Sequence, residues 1–433
     1  MERHDVGVCG AGRVWRPAPA KRGAFLHAQL VAQAGRGIRV RRLGGNRSGE
    51  IRLTRWLRNP AVTVREMAET AAARTAERCA GRHLLAIQDT TVVRSEGGGG
   101  DYLHAVLGVD AADGAILGLV DGVFLHREAG RKAGRRARPV ANKESQRWLE
   151  GASRAAAVGA SATRVTVIAD RESDIYEAFA RCPGNVDLLV RAAQDRALEG
   201  DERLFAAMDK QAEALRVEID LRARPGQAAR QATLALRFAA VQVARPRHGR
   251  VGDLPATLGL YVVDAREVEA PAGAPPIHWR LLTTQTVSNG AEALAVTELY
   301  RKRWAIEQLF RTMKTQGFDI EGIEVEDAAP RNRLVMAALV AAVTVQQLVH
   351  ARDGGPGPLR PVTDAFEPDD LPLLRAHCRA LEGKTTKQKN PHPEGSLAYA
   401  AWICARLGGW TGYYGKPGPI VMLDGWTHFQ AGK

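Results

Sequence analysis

The chain has only five cysteines in 433 residues, and Cys9, Cys79, Cys182, Cys378 and Cys404 lie far apart with no CxxC pair among them. An odd number at such spacing argues against a disulfide framework and a zinc knuckle and for a reducing cytosol. Long apolar runs are also scarce. The longest, LVMAALVAAVTVQQLV at 334–349, is short for a bilayer span and carries Gln and Thr, so it predicts a buried core helix. No apolar segment follows the opening charges, which argues against a secretory signal. The eleven histidines form no HExxH or other metal spacing, and the glycines at 97–100 lack the GxxxxGK[ST] pattern of a phosphate loop. No internal repeat of about 20 to 50 residues is present.

Acidic residues are in deficit. Against 61 Lys and Arg stand 48 Asp and Glu, for a formal charge of +13 and a pI near 9.8. Such a balance favours a polyanionic partner, nucleic acid before anionic membrane, although a coding preference for Arg gives the same number. The remainder is ordinary for a globular protein: 45% apolar and 25% charged. The length predicts two or three domains.

Residues 1 to about 45 are rich in Arg, Gly and Pro with no sustained period, which predicts an atypical or disordered segment. IRLTRWL and VTVREMAETAAARTAERCA then read as helices over about 46–80. HLLAIQDTTVV reads as a short buried strand ending at Asp89, and TRVTVIAD as a second one ending at Asp170. Between them LHAVLGVDAADGAILGLVDGVFLH predicts a hairpin turning at Ala112, Asp113 and Gly114. ESDIYEAFARC reads as a helix, and DLLVRAA and IHWRLLTT as further strands. Alternating runs separated by Pro and Gly suggest an antiparallel insertion over about 200–275. A linker-like ARDGGPGPLRP at 351–361 precedes two helical patterns near 371–381 and 397–407. Basic loops at 127–143 and 245–250 read equally as DNA-backbone contacts or as solvated loops.

Two strand-end carboxylates at a sheet edge occupy the place where α/β proteins build sites, though each alone also serves as a helix cap. A third comes from YRKRWAIEQLFRTMK, at 300–314. On one continuous helix of about 100° per residue, Tyr300, Arg303, Glu307 and Lys314 share a stripe roughly 60° wide. That stripe borders an apolar face of Ile306, Leu309, Phe310 and Met313, so it is expected to be half-buried. The competing reading for Glu307 is an exposed i,i+4 pair with Arg303 or Arg311, worth only about 0.3–0.5 kcal/mol. Three converging carboxylates suit magnesium or manganese, and a pair of such ions about 4 Å apart serves in-line displacement at phosphorus.

These residues resemble the DDE transposases of bacterial insertion sequences, specifically the IS-four family that includes the Tn-five transposase. IQDTTVV resembles the block with the first aspartate and VIADRESDIYEAF the block with the second. The YREK signature, Y-x2-R-x3-E-x6-K, is met with every spacing kept by Tyr300, Arg303, Glu307 and Lys314. The similarity runs from about Asn46 to the C-terminus.

What the resemblance implies is an α/β, RNase H-like catalytic domain at 81–350 interrupted by the β-rich insertion. A remnant of an N-terminal helical DNA-binding region at 46–80 and a linker with a helical dimerisation region at 351–433 would flank it. It implies Asp89, Asp170 and Glu307 as catalytic and metal-binding triad, with magnesium or manganese, two ions, as cofactor. Tyr300, Arg303 and Lys314 would contact DNA phosphates, and Arg191 matches an Arg of the strand after the second Asp block. Trp279, 21 residues before Tyr300, matches an aromatic on which the family stacks a flipped base; core packing is its other reading. Residues 1–45 do not resemble the family's Leu-rich N-terminal helices, as a frameshifted start would explain. The expected protein is a cut-and-paste transposase acting on double-stranded DNA as a homodimer, with no membrane partner, in the bacterial cytoplasm and at the nucleoid. The rivals are a relic that binds DNA or inhibits an active transposase, and a nuclease of the same fold.

Overall fold

The computed structural model describes residues 38–432 except 97–98, 128–144, 201, 222–227, 248–252, 272, 274, 356–357 and 414, together with Leu26, Gln29 and Leu30. Most of the atypical N-terminal segment, nearly all of the 127–143 loop and half of the 245–250 loop lie outside the described residues. In chain order the main elements are α1 (Val40–Leu43), α2 (Arg47–Leu57), α3 (Val64–Cys79), β1 (His83–Glu96), β2 (Gly99–Asp110), β3 (Ile116–Arg127), α4 (Gln146–Val158), β4 (Arg164–Ala169), α5 (Tyr176–Ala180) and β5 (Asp187–Arg191). Then follow α6 (Leu204–Asp209), β6 (Leu215–Leu221), β7 (Arg230–Ala244), β8 (Thr257–Val268), β9 (His278–Thr283), α7 (Gly290–Arg301), α8 (Trp304–Met313), α9 (Ala328–Ala351), α10 (Leu371–Leu381), α11 (Leu397–Leu407) and α12 (Pro419–Ala431). Side-chain caps open several helices: Asn46 accepts from Gly49, Thr63 from Glu66, Asn289 from Glu292 and Ser396 from Tyr399.

Two compact units divide the chain, and neither is continuous in sequence. One is drawn from Met1–Gly81, Thr90–Ala129 and Ala305–Lys433, the other from Arg82–Asp89 and Gly130–Trp304. In the first, β2 and β3 form the expected hairpin, closed where Asp110 and Ala115 pair and Gly114 donates to the Asp110 carbonyl. Helix α3 lies against it, and Thr75 Oγ1 donates to the Leu119 carbonyl at 2.6 Å. Gly118, at φ +148°, permits that approach: a Cβ there would meet Thr75 Oγ1 at 2.3 Å. The apolar run of 334–349 proves to be part of the 24-residue α9, longer than the sequence suggested; its most apolar stretch is long enough to cross a membrane but 78% buried. Close helix contact recurs between α11 and α12, where a Cβ on Gly425 would meet the Cys404 carbonyl.

The second unit is built on strands. The first half of β1 pairs in parallel with β4 and β4 with β5, all almost wholly buried, as parallel strands are. Thereafter β9, β8, β7 and β6 add in antiparallel order, each hydrogen-bonded to the next. One face of this meander packs Ile219, Leu234, Leu236 and Ala265 with Leu294 of α7.

Two expectations about these elements are corrected. β1 does not stop at Asp89; it runs on through the β-branched Thr90, Thr91, Val92 and Val93 to Glu96. Nor does ESDIYEAFARC form one helix: Glu172 and Ser173 belong to a short 3-10 turn, and α5 keeps only the five residues from Tyr176 to Ala180. The reason is Asp174, whose buried side chain accepts from the backbone of Ala193 and Gln194 and from Arg196 instead of joining a helix face.

Candidate active site

Register brings the first two aspartates level. The last parallel pair of β1 and β4 is Ile87 with Ile168, so the same offset carries Asp89 opposite Asp170, one residue past the end of β4. Neighbouring strands lie about 4.8 Å apart, and level residues of a parallel pair point to the same face. Asp170 is also a cap, since its Oδ1 accepts from the Glu172 N–H at 2.9 Å and so fixes the turn after β4.

Around this pair the second unit gathers four more of the expected residues. Arg303 Nη1 donates to Asp89 Oδ2 at 3.0 Å, with both side chains mostly buried. Tyr300 is buried, at 6% exposure, with the Arg303 and Arg191 guanidinium groups and Asp170 close enough to act on the charge of its phenol. Burial raises the Tyr300 pKa above the usual phenol range; the two guanidinium groups oppose the rise and Asp170 adds to it. Arg191, the last residue of β5, donates from Nη2 to the His278 carbonyl at 2.8 Å. Burial is likewise the main cause that lowers its pKa.

Trp279, the second residue of β9, sits opposite Ala265. Its ring lies 5.9 Å from that of Tyr300, tilted by 59°, and it also packs on the meander's apolar cluster while remaining half-buried. Trp279 thus packs against the meander's apolar cluster and also reaches the Tyr300 ring.

The segment 300–314 is not one helix. α7 ends at Arg301, Lys302 and Arg303 form a turn whose N–H groups reach back three residues to Leu299 and Tyr300, and α8 begins at Trp304. A common stripe at a uniform 100° per residue therefore does not apply across the turn. The expected burial holds nonetheless: Ile306, Leu309, Phe310 and Met313 are buried, and Arg303, Glu307 and Lys314 are half-buried. Glu307 lies in the first turn of α8, and Lys314 pairs with Glu321 at 2.6 Å, both within the other unit.

Among the described residues no three His, Cys, Asp or Glu side chains form a group that could hold a metal ion. The level pair Asp89 and Asp170 offers oxygen donors only, and Asp89 is already turned toward a cationic group. That donor chemistry suits a hard divalent cation such as magnesium or manganese.

Sequence reasoning missed the role of Asp174 and Arg196. With side-chain exposures of 0% and 5% they are paired at 2.5 Å, and Asp174 pins the chain just beyond Arg191. The signal was available as the second Asp of the DRESD run, but its partner lies 22 residues away.

The family described as transposase DDE domain matches residues 103–343, more than half of the chain. The match includes Asp170, Arg191, Trp279, Tyr300, Arg303, Glu307 and Lys314, and it begins after Asp89.

Proposed function

The chain belongs to the transposase DDE domain family, and from that premise we propose that this DNA-acting enzyme is a cut-and-paste transposase of the IS-four, Tn-five-like kind. The proposed catalytic and metal-binding residues are Asp89, Asp170 and Glu307, within an RNase H-like core. The observation that supports the reading is the register of β1 and β4, which, extended past its last pair, carries Asp89 level with Asp170 just beyond β4, with Arg303 bonded to Asp89.

The reaction is cleavage of a phosphodiester at the element's end, followed by attack of the freed 3′-hydroxyl on target DNA. Held by Asp89, Asp170 and Glu307, magnesium or manganese would supply Lewis-acid stabilisation of the charge that develops at phosphorus. Arg191 and Arg303 orient the scissile strand by its phosphate oxygens, for which a planar guanidinium offers paired donors. Tyr300 stays protonated at neutral pH, because burial raises its pKa, and so donates a hydrogen bond to a phosphate oxygen. Lys314 adds a point charge, and Trp279 offers a face on which an extruded base stacks. Two copies of the chain act on paired ends, in the cytoplasm of a bacterial cell.

The test is a labelled duplex carrying the element's terminal sequence, incubated with the full chain and magnesium. Nicking at the end, abolished by Asp170→Asn and by Glu307→Ala, supports the reading. Binding without nicking, unchanged by either substitution, overturns it in favour of a DNA-binding relic. Nicking without joined products from a pre-cut end would make the protein a nuclease.

A further inference from the structure

The contact between Arg303 and Asp89 joins two residues for which the proposed function gives opposite partners, a phosphate for the first and a divalent cation for the second. Both side chains are mostly buried, at 17% and 20% exposure, so solvent does little to screen them. A carboxylate oxygen committed to a guanidinium has less negative potential to offer a second cation, and a cation arriving there also meets the positive charge of Arg303.

Arg303 has somewhere else to turn. It lies in the two-residue turn between α7 and α8 and not within a regular helix, and the Tyr300 phenol is near enough to feel its charge. Arg191 acts on the charge of the same phenol and is itself tied to the His278 carbonyl. Two guanidinium groups and a phenol hydroxyl therefore converge beside Asp89 and Asp170, a set of donors that matches the oxygens of one phosphodiester.

We propose that Arg303 is a latch that couples the two ligands of the site: it holds Asp89 until a DNA phosphate draws it away, and only then is Asp89 released to a divalent cation. The coupling rests on the functional reading above. It makes cation affinity depend on bound DNA, and linkage requires DNA affinity to depend on the cation by the same factor. A site so arranged would disfavour metal loading, and hence hydrolysis, away from a docked DNA end.

Manganese binding by electron paramagnetic resonance tests the latch without relying on turnover. The full chain is titrated alone and with a pre-cut end duplex, after subtraction of the manganese held by that duplex. For the wild type, the duplex tightens manganese binding about tenfold, within the roughly 5- to 150-fold range that couplings between sites span. Arg303→Gln binds manganese about tenfold more tightly than wild type in the absence of DNA and loses the gain on adding duplex. Arg303→Lys, which keeps the charge but not the planar fork, restores part of the dependence and guards against a variant that misfolds. Asp89→Asn abolishes the binding in both states. Equal manganese affinities for wild type and Arg303→Gln, with Asp89→Asn still abolishing binding, would overturn the latch and leave the metal assignment standing. Unchanged binding in Asp89→Asn would instead overturn the assignment of Asp89 and the latch with it.

Discussion

The rings of Trp279 and Tyr300 stand 5.9 Å apart and tilted by 59°, one on β9 and the other in the last turn of α7. Trp279 packs against the apolar cluster of the meander, which restrains its ring. An aromatic face fixed in this way lowers the ordering cost of holding an unstacked base.

Trp279→Ala is accordingly expected to weaken the hold on a base at the element's end by about 1–3 kcal/mol, the usual contribution of one stacked base. A fluorescent purine analogue at the terminal positions reads this directly: wild type changes its emission on binding and the variant does not. Loss of fold in the variant, monitored by circular dichroism, would assign Trp279 to packing alone.

Asp174 and Arg196 form an ion pair that is almost entirely withdrawn from solvent. Asp174→Ala leaves the Arg196 guanidinium buried without its partner, and such a deletion costs about 3–5 kcal/mol. A fall of that size in urea-unfolding stability is expected. A loss under about 1 kcal/mol, the value of an exposed pair, would show the pair to be solvated.

Much of the second unit was legible before its structure. The strands at 164–169, 187–191 and 278–283 and the antiparallel runs announce themselves by apolar alternation and turn residues. The break at Lys302 and Arg303 was not legible, because neither Gly nor Pro marks it and the flanking residues favour helix. The turn carries a tertiary contact the sequence does not announce: the Arg303 side chain goes to Asp89, more than 200 residues away in sequence. The continuation of β1 past Asp89 was written in its β-branched residues, but a charged residue after an apolar run reads as the end of a buried strand. The interleaving of chain segments between two units leaves no local signal at all, since it depends on which distant segments pack together.

His350, on α9, is held at low pKa mainly by burial, with its Nε2 facing the Asp113 carbonyl at 3.2 Å. Asp113 opposes that shift, while Arg360 and Arg352 reinforce it. The unfolded chain therefore binds this proton more readily than the folded one. The contribution of His350 to stability is complete above the ordinary histidine pKa of about 6.5 and is lost as pH falls below it. Thermal unfolding followed between about pH 8 and 5 should show stability declining on the acid side, with a shallower decline in His350→Gln. An identical acid-side slope in the variant would remove His350 as the cause.

We propose Asp89, on β1, and Asp170, just past the end of β4, as ligands of a divalent metal used to break a DNA phosphodiester, with Glu307 as the third proposed ligand. The most direct test of this assignment is iron substituted for magnesium, with peroxide-generated radicals cutting the protein backbone next to the bound metal. Cleavage of the wild-type chain close to residues 89, 170 and 307 together, lost in Asp170→Asn, is the predicted result. Cleavage near only one of the three positions, or a pattern untouched by Asp170→Asn, would contradict it.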